Sequence, residues 1–229
     1  QMIDWLARDP HVSGKFYCCF LDLRLGVQTP EWVAKFDARL APIDARITEI
    51  ATAVWSSFCE NTPQSFSELL LLDFHDFPRF TTTIRGLLAE LPDAHTGLLA
   101  TQRNLLEMVS LGFDTPRKLL SHQSWCDGDA VFGYWERGRL LCELALCATP
   151  ALNGMNGENF TLDLHNDYSR LMRFWNSNLS LTTFGQALLK GTMDYSRFNR
   201  VDRWWGGTRL TNLNLWRWDV RAQRLLQPR

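Results

Sequence analysis

The chain has 229 residues, 45% hydrophobic and 21% charged, with a net charge of −1; this is the composition of a globular protein with room for one large domain or two small ones. No apolar run reaches the roughly 20 residues that a membrane-crossing helix needs, since even "ELLLLDF" is cut at Asp73, and a helical membrane protein is excluded. Charge is unevenly placed: residues 181–229 hold nine Lys or Arg against three Asp, a net +6 that leaves −7 for the remainder, and such a tail points to an anionic partner.

"MIDWLARDP" (2–10) reads as the end of a helix that starts directly from Gln1, which predicts further residues upstream. "KFYCCFLDL" (15–23) is a near-continuous apolar run of strand length between Gly14 and Gly26, the pattern of a strand buried on both faces. No strand of similar quality follows nearby, so its partners are expected upstream or far away in sequence. Thr29 before Pro30 and Glu31 predicts a helix start, with Thr as N-cap and Pro in the first turn. A second helix starts near Pro42 and shows one apolar face through Ile43, Ile47, Ile50, Val54 and Phe58. "PQSFSELLLL" (63–72) and "FPRFTTTIRGLLAEL" (77–91) continue a mostly helical N-terminal part.

Pro92 and Gly97 in "LPDAHTG" interrupt that pattern and predict a domain boundary. Residues 1–92 are then the remainder of an α/β module, and residues 93–229 a second domain. Its first part is three helical segments with short links: "LATQRNLLEMVSLG", "TPRKLLSHQ" and "DAVFGYWERGRLLCELALC". "ENFTLDLHND" (158–167) alternates apolar and polar residues and predicts a half-exposed strand. "LTTFGQALLKG" (181–191) predicts a short helix capped by Thr182 and stopped by Gly191. "LWRWDVRAQRLL" (215–226) predicts a hairpin. In "RWWGGTRL" (203–210) the two glycines supply a turn or bulge, and one of Trp204 and Trp205 should face the core, because neighbours on a strand point to opposite sides. The predicted fold class is α+β, mainly helical: a helical N-terminal part with a buried strand, then a winged-helix-like three-helix unit with a C-terminal β-hairpin.

The segments "LPDAHTGLLATQRNLLEMVSLGFDTPRKLL" (91–120), "LTTFGQALLKG", "VDRWWGGTRL" (201–210) and "LWRWD" (215–219) make the chain resemble the C-terminal two-thirds of an uncharacterised bacterial family, a domain of unknown function. The resemblance implies an α/β module upstream, which would supply sheet neighbours for residues 15–23. It brings no activity and no catalytic residue, and "HQSWCDGD" (122–129) departs from its pattern.

Six cysteines without a Cys-x-x-Cys pair read as reduced thiols in a cytoplasmic protein. Asp163, His165 and Asp167, on one side of a strand, are candidate ligands for a divalent metal; a solvated strand face explains them more simply. His122, Cys126, Asp127 and Asp129 have ligand and nucleophile chemistry, although a loop capping the next helix accounts for the same residues. Asp73, His75 and Asp76 read as a helix end before Pro78 rather than an acid–base pair. The phosphate-loop, dinucleotide-binding, zinc-protease and nucleophile-elbow motifs are absent from the sequence, and no cofactor is expected. The third helix of the three-helix unit would be a DNA reader through Tyr134, Trp135, Arg137 and Arg139, but Glu136 and Glu143 dilute its charge and favour a structural helix. The C-terminal strands are the stronger candidates, with Arg200, Arg203, Arg209 and Arg217 on phosphates and Trp205 as a stacking surface. The sequence thus favours a non-enzymatic protein that binds nucleic acid or a regulatory protein partner through its basic C-terminal region. The alternative is a hydrolase or metal-dependent enzyme, or its accessory domain, with the active site mainly in an upstream module.

Overall fold

In the computed structural model, which describes residues 15, 17–18, 29–36, 41–74, 78–122 and 131–228, several helices begin where the sequence supplies an oxygen to cap them. Thr29 Oγ1 accepts from Trp32 N (3.2 Å) ahead of α1 (Pro30–Lys35), and Asp44 Oδ1 accepts from Ile47 N (2.8 Å) ahead of α2 (Ala45–Phe58). These side chains satisfy amide groups that a helix start otherwise leaves unpaired. Next come α3 (Gln64–Glu68) with a 3-10 turn at Leu69–Leu71, and α4 (Pro78–Ala89). Then α5 (Ala100–Ser110), α6 (Pro116–Leu120) and α7 (Tyr134–Leu146) form the expected three-helix group, with Thr115 as the cap of α6. The last helices are α8 (Leu162–Asn166), α9 (Tyr168–Trp175) and α10 (Thr183–Leu189), the last capped by Thr182 as the sequence predicts.

Strands occur as short antiparallel pairs: β1 (Tyr17–Cys18) with β2 (Ala41–Pro42), and β3 (Leu152–Asn153) with β4 (Ser180–Leu181). Two hairpins close the chain, β5 (Asp202–Trp205) with β6 (Thr208–Thr211), and β7 (Arg217–Asp219) with β8 (Arg224–Leu226). The molecule is therefore mixed α+β and mostly helical.

Two expectations are corrected. The apolar run at 15–23 was expected to be buried with remote partners, yet Tyr17 is 60% exposed and pairs with Pro42 close by; residues 19–23 and the expected opening helix at 2–10 lie outside the described residues. "ENFTLDLHND" is no strand, because Thr161 Oγ1 accepts from Leu164 N (3.2 Å) and starts α8. Phe160 and Leu164 are buried while Leu162 is 67% exposed, so the burial spacing is four, a helical period, rather than two.

Apolar packing falls into two main clusters. Leu105, Leu106 and Val109 of α5 meet Leu119 of α6, Leu140, Leu141 and Leu144 of α7, and Leu188 of α10. In the second, Phe66, Ile84, Leu88 and Leu91 of the N-terminal helices meet Trp205, Leu210, Trp216 and Trp218 of the terminal hairpins. The chain's last strands thus complete the core of its first helices, and packing crosses position 92. "LPDAHTG" is accordingly a tied junction: Trp218 N donates to Pro92 O (3.0 Å) and Ala94 N to Trp218 O (3.1 Å), while Asp93 Oδ1 accepts from the amides of His95 and Thr96.

The glycine pair forms the β5–β6 turn, with Gly206 at φ +53°, a conformation side chains resist. The turn lies against the end of α2, where Gly207 N donates to Phe58 O (2.9 Å). A Cβ at Gly207 would collide with the Cys59 carbonyl. The glycines therefore serve close backbone approach as well as turning. Gly207→Ala is expected to cost about 2–3 kcal/mol in urea denaturation, the size of an overpacked core site, with β5–β6 shifted off α2.

Glu90, just after α4, is buried and accepts from Thr101 N (3.1 Å) and Thr101 Oγ1 (2.6 Å). Burial pushes its carboxyl from 4.5 up to about 7, opposed by the Thr101 hydrogen bonds and the Arg203 charge. The folded state thus holds this proton more tightly than the unfolded chain. The stability so gained is complete below about pH 4.5 and is lost as the pH rises through 7, a change of about 3 kcal/mol. Glu90→Gln keeps an acceptor for Thr101 and should remove that fall, a difference read from urea denaturation of both proteins at pH 4.5 and pH 8.

Candidate nucleic-acid interface

The two-residue turn at Gly206–Gly207 sets the register of β5 and β6: Asp202 opposite Thr211, Arg203 opposite Leu210, Trp204 opposite Arg209, and Trp205 opposite Thr208. Paired residues share a face, so Arg203, Trp205, Thr208 and Leu210 form the inner face, and Asp202, Trp204, Arg209 and Thr211 the outer one.

The inner face is occupied. Trp205 is buried, donates from Nε1 to Leu87 O (2.8 Å), and presents its ring to the edges of Phe58 and Phe66 at 5.1 and 5.3 Å. It is corrected from a stacking surface to a core residue. Arg203 forms an ion pair with Glu143 of α7 and is only 22% exposed. Arg217, on β7, donates to Asp194 Oδ2 (2.8 Å), Ser196 Oγ (2.6 Å) and the Asp93 carbonyl (3.0 Å). Both arginines, expected as phosphate contacts, are thus partly buried and paired with carboxylates within the molecule.

The outer face remains open. Trp204 is 68% exposed and stands directly across from Arg209. Arg209 Nε lies 3.1 Å from Asp202 Oδ1, and Arg200 Nη2 lies 2.8 Å from Asp202 Oδ2. Arg209 first, then Arg200, hold the Asp202 carboxyl below the usual carboxylate range. Two guanidinium groups share one carboxylate, which leaves this face about one positive charge. Of the expected contact residues, Arg200 and Arg209 are together here and exposed. Trp204 is the residue missed in favour of its neighbour, and Leu210 was the signal: the aliphatic residue of β6 marks the inner face, and a two-residue turn puts Trp205 on its side.

Asp163, His165 and Asp167 do not converge as ligands. Asp163 Oδ2 accepts from Arg170 Nη1 (2.9 Å). His165 Nδ1 donates to the Thr161 carbonyl (2.8 Å), so Nε2 accepts from Tyr134 Oη (3.0 Å). Asp167 caps α9 by accepting from Ser169 N and Arg170 N, both at 3.0 Å. A helix in place of a strand sends the three side chains to separate partners. Among the described residues, no group of three or more His, Cys, Asp or Glu is placed to hold a metal ion.

His122 packs edge-on to Phe113 at 4.6 Å, while Cys126, Asp127 and Asp129, like His75 and Asp76, lie outside the described residues. Burial pushes the Cys142 thiol up to about 11, so it is protonated at neutral pH and not a ready nucleophile. On α7, Arg137 is buried, and Tyr134 and Trp135 pack with Phe160 and His165. Arg137 is thus internal, whereas Trp135, 42% exposed, and Arg139 stay at the surface of α7.

The arginines separate into structural and exposed classes, and stability distinguishes them. Arg217→Ala removes the close ion-pair partner of Asp194, which is 13% exposed and keeps only its Ser196 hydrogen bonds and the 3.8 Å approach of Arg197, and is expected to cost about 3 kcal/mol. Arg200→Ala, at 82% side-chain exposure, should change stability by about 0.5 kcal/mol or less. Urea denaturation of the two variants checks the contrast.

No family model matches the chain, nor does any curated protein or solved structure, so the functional reading rests on the geometry of the hairpin face.

Proposed function

We propose that this protein acts by binding rather than catalysis, and that its binding face is the outer side of β5–β6, which takes single-stranded nucleic acid. The observation that carries the reading is Trp204, 68% exposed and in register with Arg209. An exposed indole offers its face to an unstacked base, and the guanidinium across the strand reaches the adjoining phosphate. Arg200 extends the cationic edge by one contact, and Thr211 adds a hydroxyl on the same face.

A single strand fits better than a duplex. Groove reading needs an element whose side chains reach base edges, and on α7, third of the mutually packed helices, Arg137 is buried and Tyr134 packs against Phe160, while Glu136 beside the exposed Trp135 and Arg139 dilutes the positive charge such a helix needs. The winged-helix comparison therefore enters as the order of elements, three helices followed by a hairpin, with the contact surface moved from helix to hairpin.

The test is fluorescence anisotropy of a labelled single-stranded oligonucleotide at low salt. Trp204→Ala should weaken binding by about tenfold or more, the loss of one base stack. Arg209→Ala should also reduce the salt slope, by about 0.7 for one phosphate contact on a single strand. Asp202→Asn releases both arginines and should tighten binding. If no oligonucleotide binds, or if Trp204→Ala and Asp202→Asn leave affinity unchanged, the reading fails.

A further inference from the structure

A second concave surface lies away from Trp204, between α7 and the segment that enters β5. We propose that this cleft is a binding site for a small organic anion with an apolar, ring-bearing body. The cleft encloses about 640 Å³, within the range of roughly 300–1,000 Å³ typical of small-molecule sites.

One face of α7 forms its long wall. Arg139, Cys142, Glu143 and Leu146 all line the cleft, and their spacing of three, four and seven residues is that of a single helix face. Leu99, Phe160, Tyr195 and Val201 add apolar surface from other segments. Arg139 and Leu146 stand about 10 Å apart along the helix axis, the reach of a small ring system and its acid group. A ligand with charge at one end and an apolar body at the other matches that wall.

The charge balance sets the sign of the ligand. Arg139, Arg200 and Arg203 face Glu143 and Asp202, three cations against two anions. Glu143 is engaged by Arg203, and Asp202 is shared between Arg200 and Arg209. Arg139 is exposed and has no carboxylate partner among the described residues. Neither carboxylate is free to attract a cation, and one guanidinium is free to take an anion. An arginine fork pairs equally with carboxylate and with phosphate, so the two acids are separate arms of the test.

The cleft borders the hairpin face and shares Arg200 and Asp202 with it, but Trp204 does not line it and Arg139 does not belong to the outer face of β5–β6, so substitutions at those two residues tell the sites apart. The full chain is titrated with 8-anilinonaphthalene-1-sulfonate, an aromatic anion that fluoresces on transfer to an apolar site. Saturable binding of one molecule per chain is expected, displaced by phenyl phosphate, by phenylacetate, or by both, and the stronger competitor identifies the preferred acid. Arg139→Glu, a change on an exposed helix position, should weaken binding about tenfold or more by reversing the anchoring charge, with the circular-dichroism spectrum unchanged. Leu146→Glu should weaken it from the apolar end. Trp204→Ala should leave it intact, while Arg139→Glu should leave oligonucleotide binding intact. Non-saturable binding, failure of both acids to compete, or Arg139→Glu binding like the parent would overturn the proposal.

Discussion

The Arg217 guanidinium holds together three stretches of chain that are remote in sequence: its own strand β7, the junction at Asp93, and the turn at Asp194–Ser196. A guanidinium suits this position because its planar fork donates in several directions at once and its charge is never lost by titration. Other bonds converge on the same point. Tyr195 N donates to Thr96 O (2.7 Å), Trp218 N to Pro92 O, and Gly97 takes φ +66° where any side chain would run into Asp194. The two apolar clusters meet at this junction, and the second is closed by strands that arrive from the far end of the chain. An arginine that by composition belongs to a basic tail is, by position, the pin that lets that tail complete the N-terminal core.

The geometry of the binding face follows from that closure. With Trp216 and Trp218 buried beside Trp205, the β5–β6 hairpin has one orientation available: inner side against α2 and α4, outer side to solvent. Its turn is locked by backbone contact with Phe58 and its inner tryptophan by Leu87. Trp204 therefore sits on a strand whose backbone is already ordered. In the proposed binding mode, little backbone entropy would be lost on stacking a base there, which would favour affinity from a small contact area.

Local signals in the sequence were legible and long-range ones were not. Thr29 and Thr182 announce helix starts through chemistry that needs only the next three residues, and the two-residue turn at Gly206–Gly207 is equally local. The segment at 158–167 misled because six residues of apolar–polar alternation are too few to tell a strand from a short helix, and the Thr161 cap outweighed it. "LPDAHTG" has the composition of a linker; its burial depends on Trp218 and Tyr195, more than ninety residues away. The Trp204–Trp205 choice was half legible, since parity dictates that one is buried and only the register says which. The pairing of α7 with the cleft left no mark, because Arg139 and Glu143 are ordinary surface residues until Arg203 arrives beside them.

The tail's net charge of +6 shows how far charge along a sequence differs from charge on a surface. Arg203 and Arg217 are cancelled by Glu143 and Asp194, and Asp202 offsets one of the two arginines left on the hairpin face. Glu143 is supplied from outside the tail, so counting charges within the last fifty residues could not foresee its effect. What survives at the face is about one positive charge beside an exposed indole. A surface of that kind gains little from counterion release, which scales with the number of phosphates neutralised, and proportionally more from stacking. Under the proposed function, the partner it would fit is one whose bases are already unstacked and accessible, held mainly by ring contact, with the arginines setting the direction of its backbone.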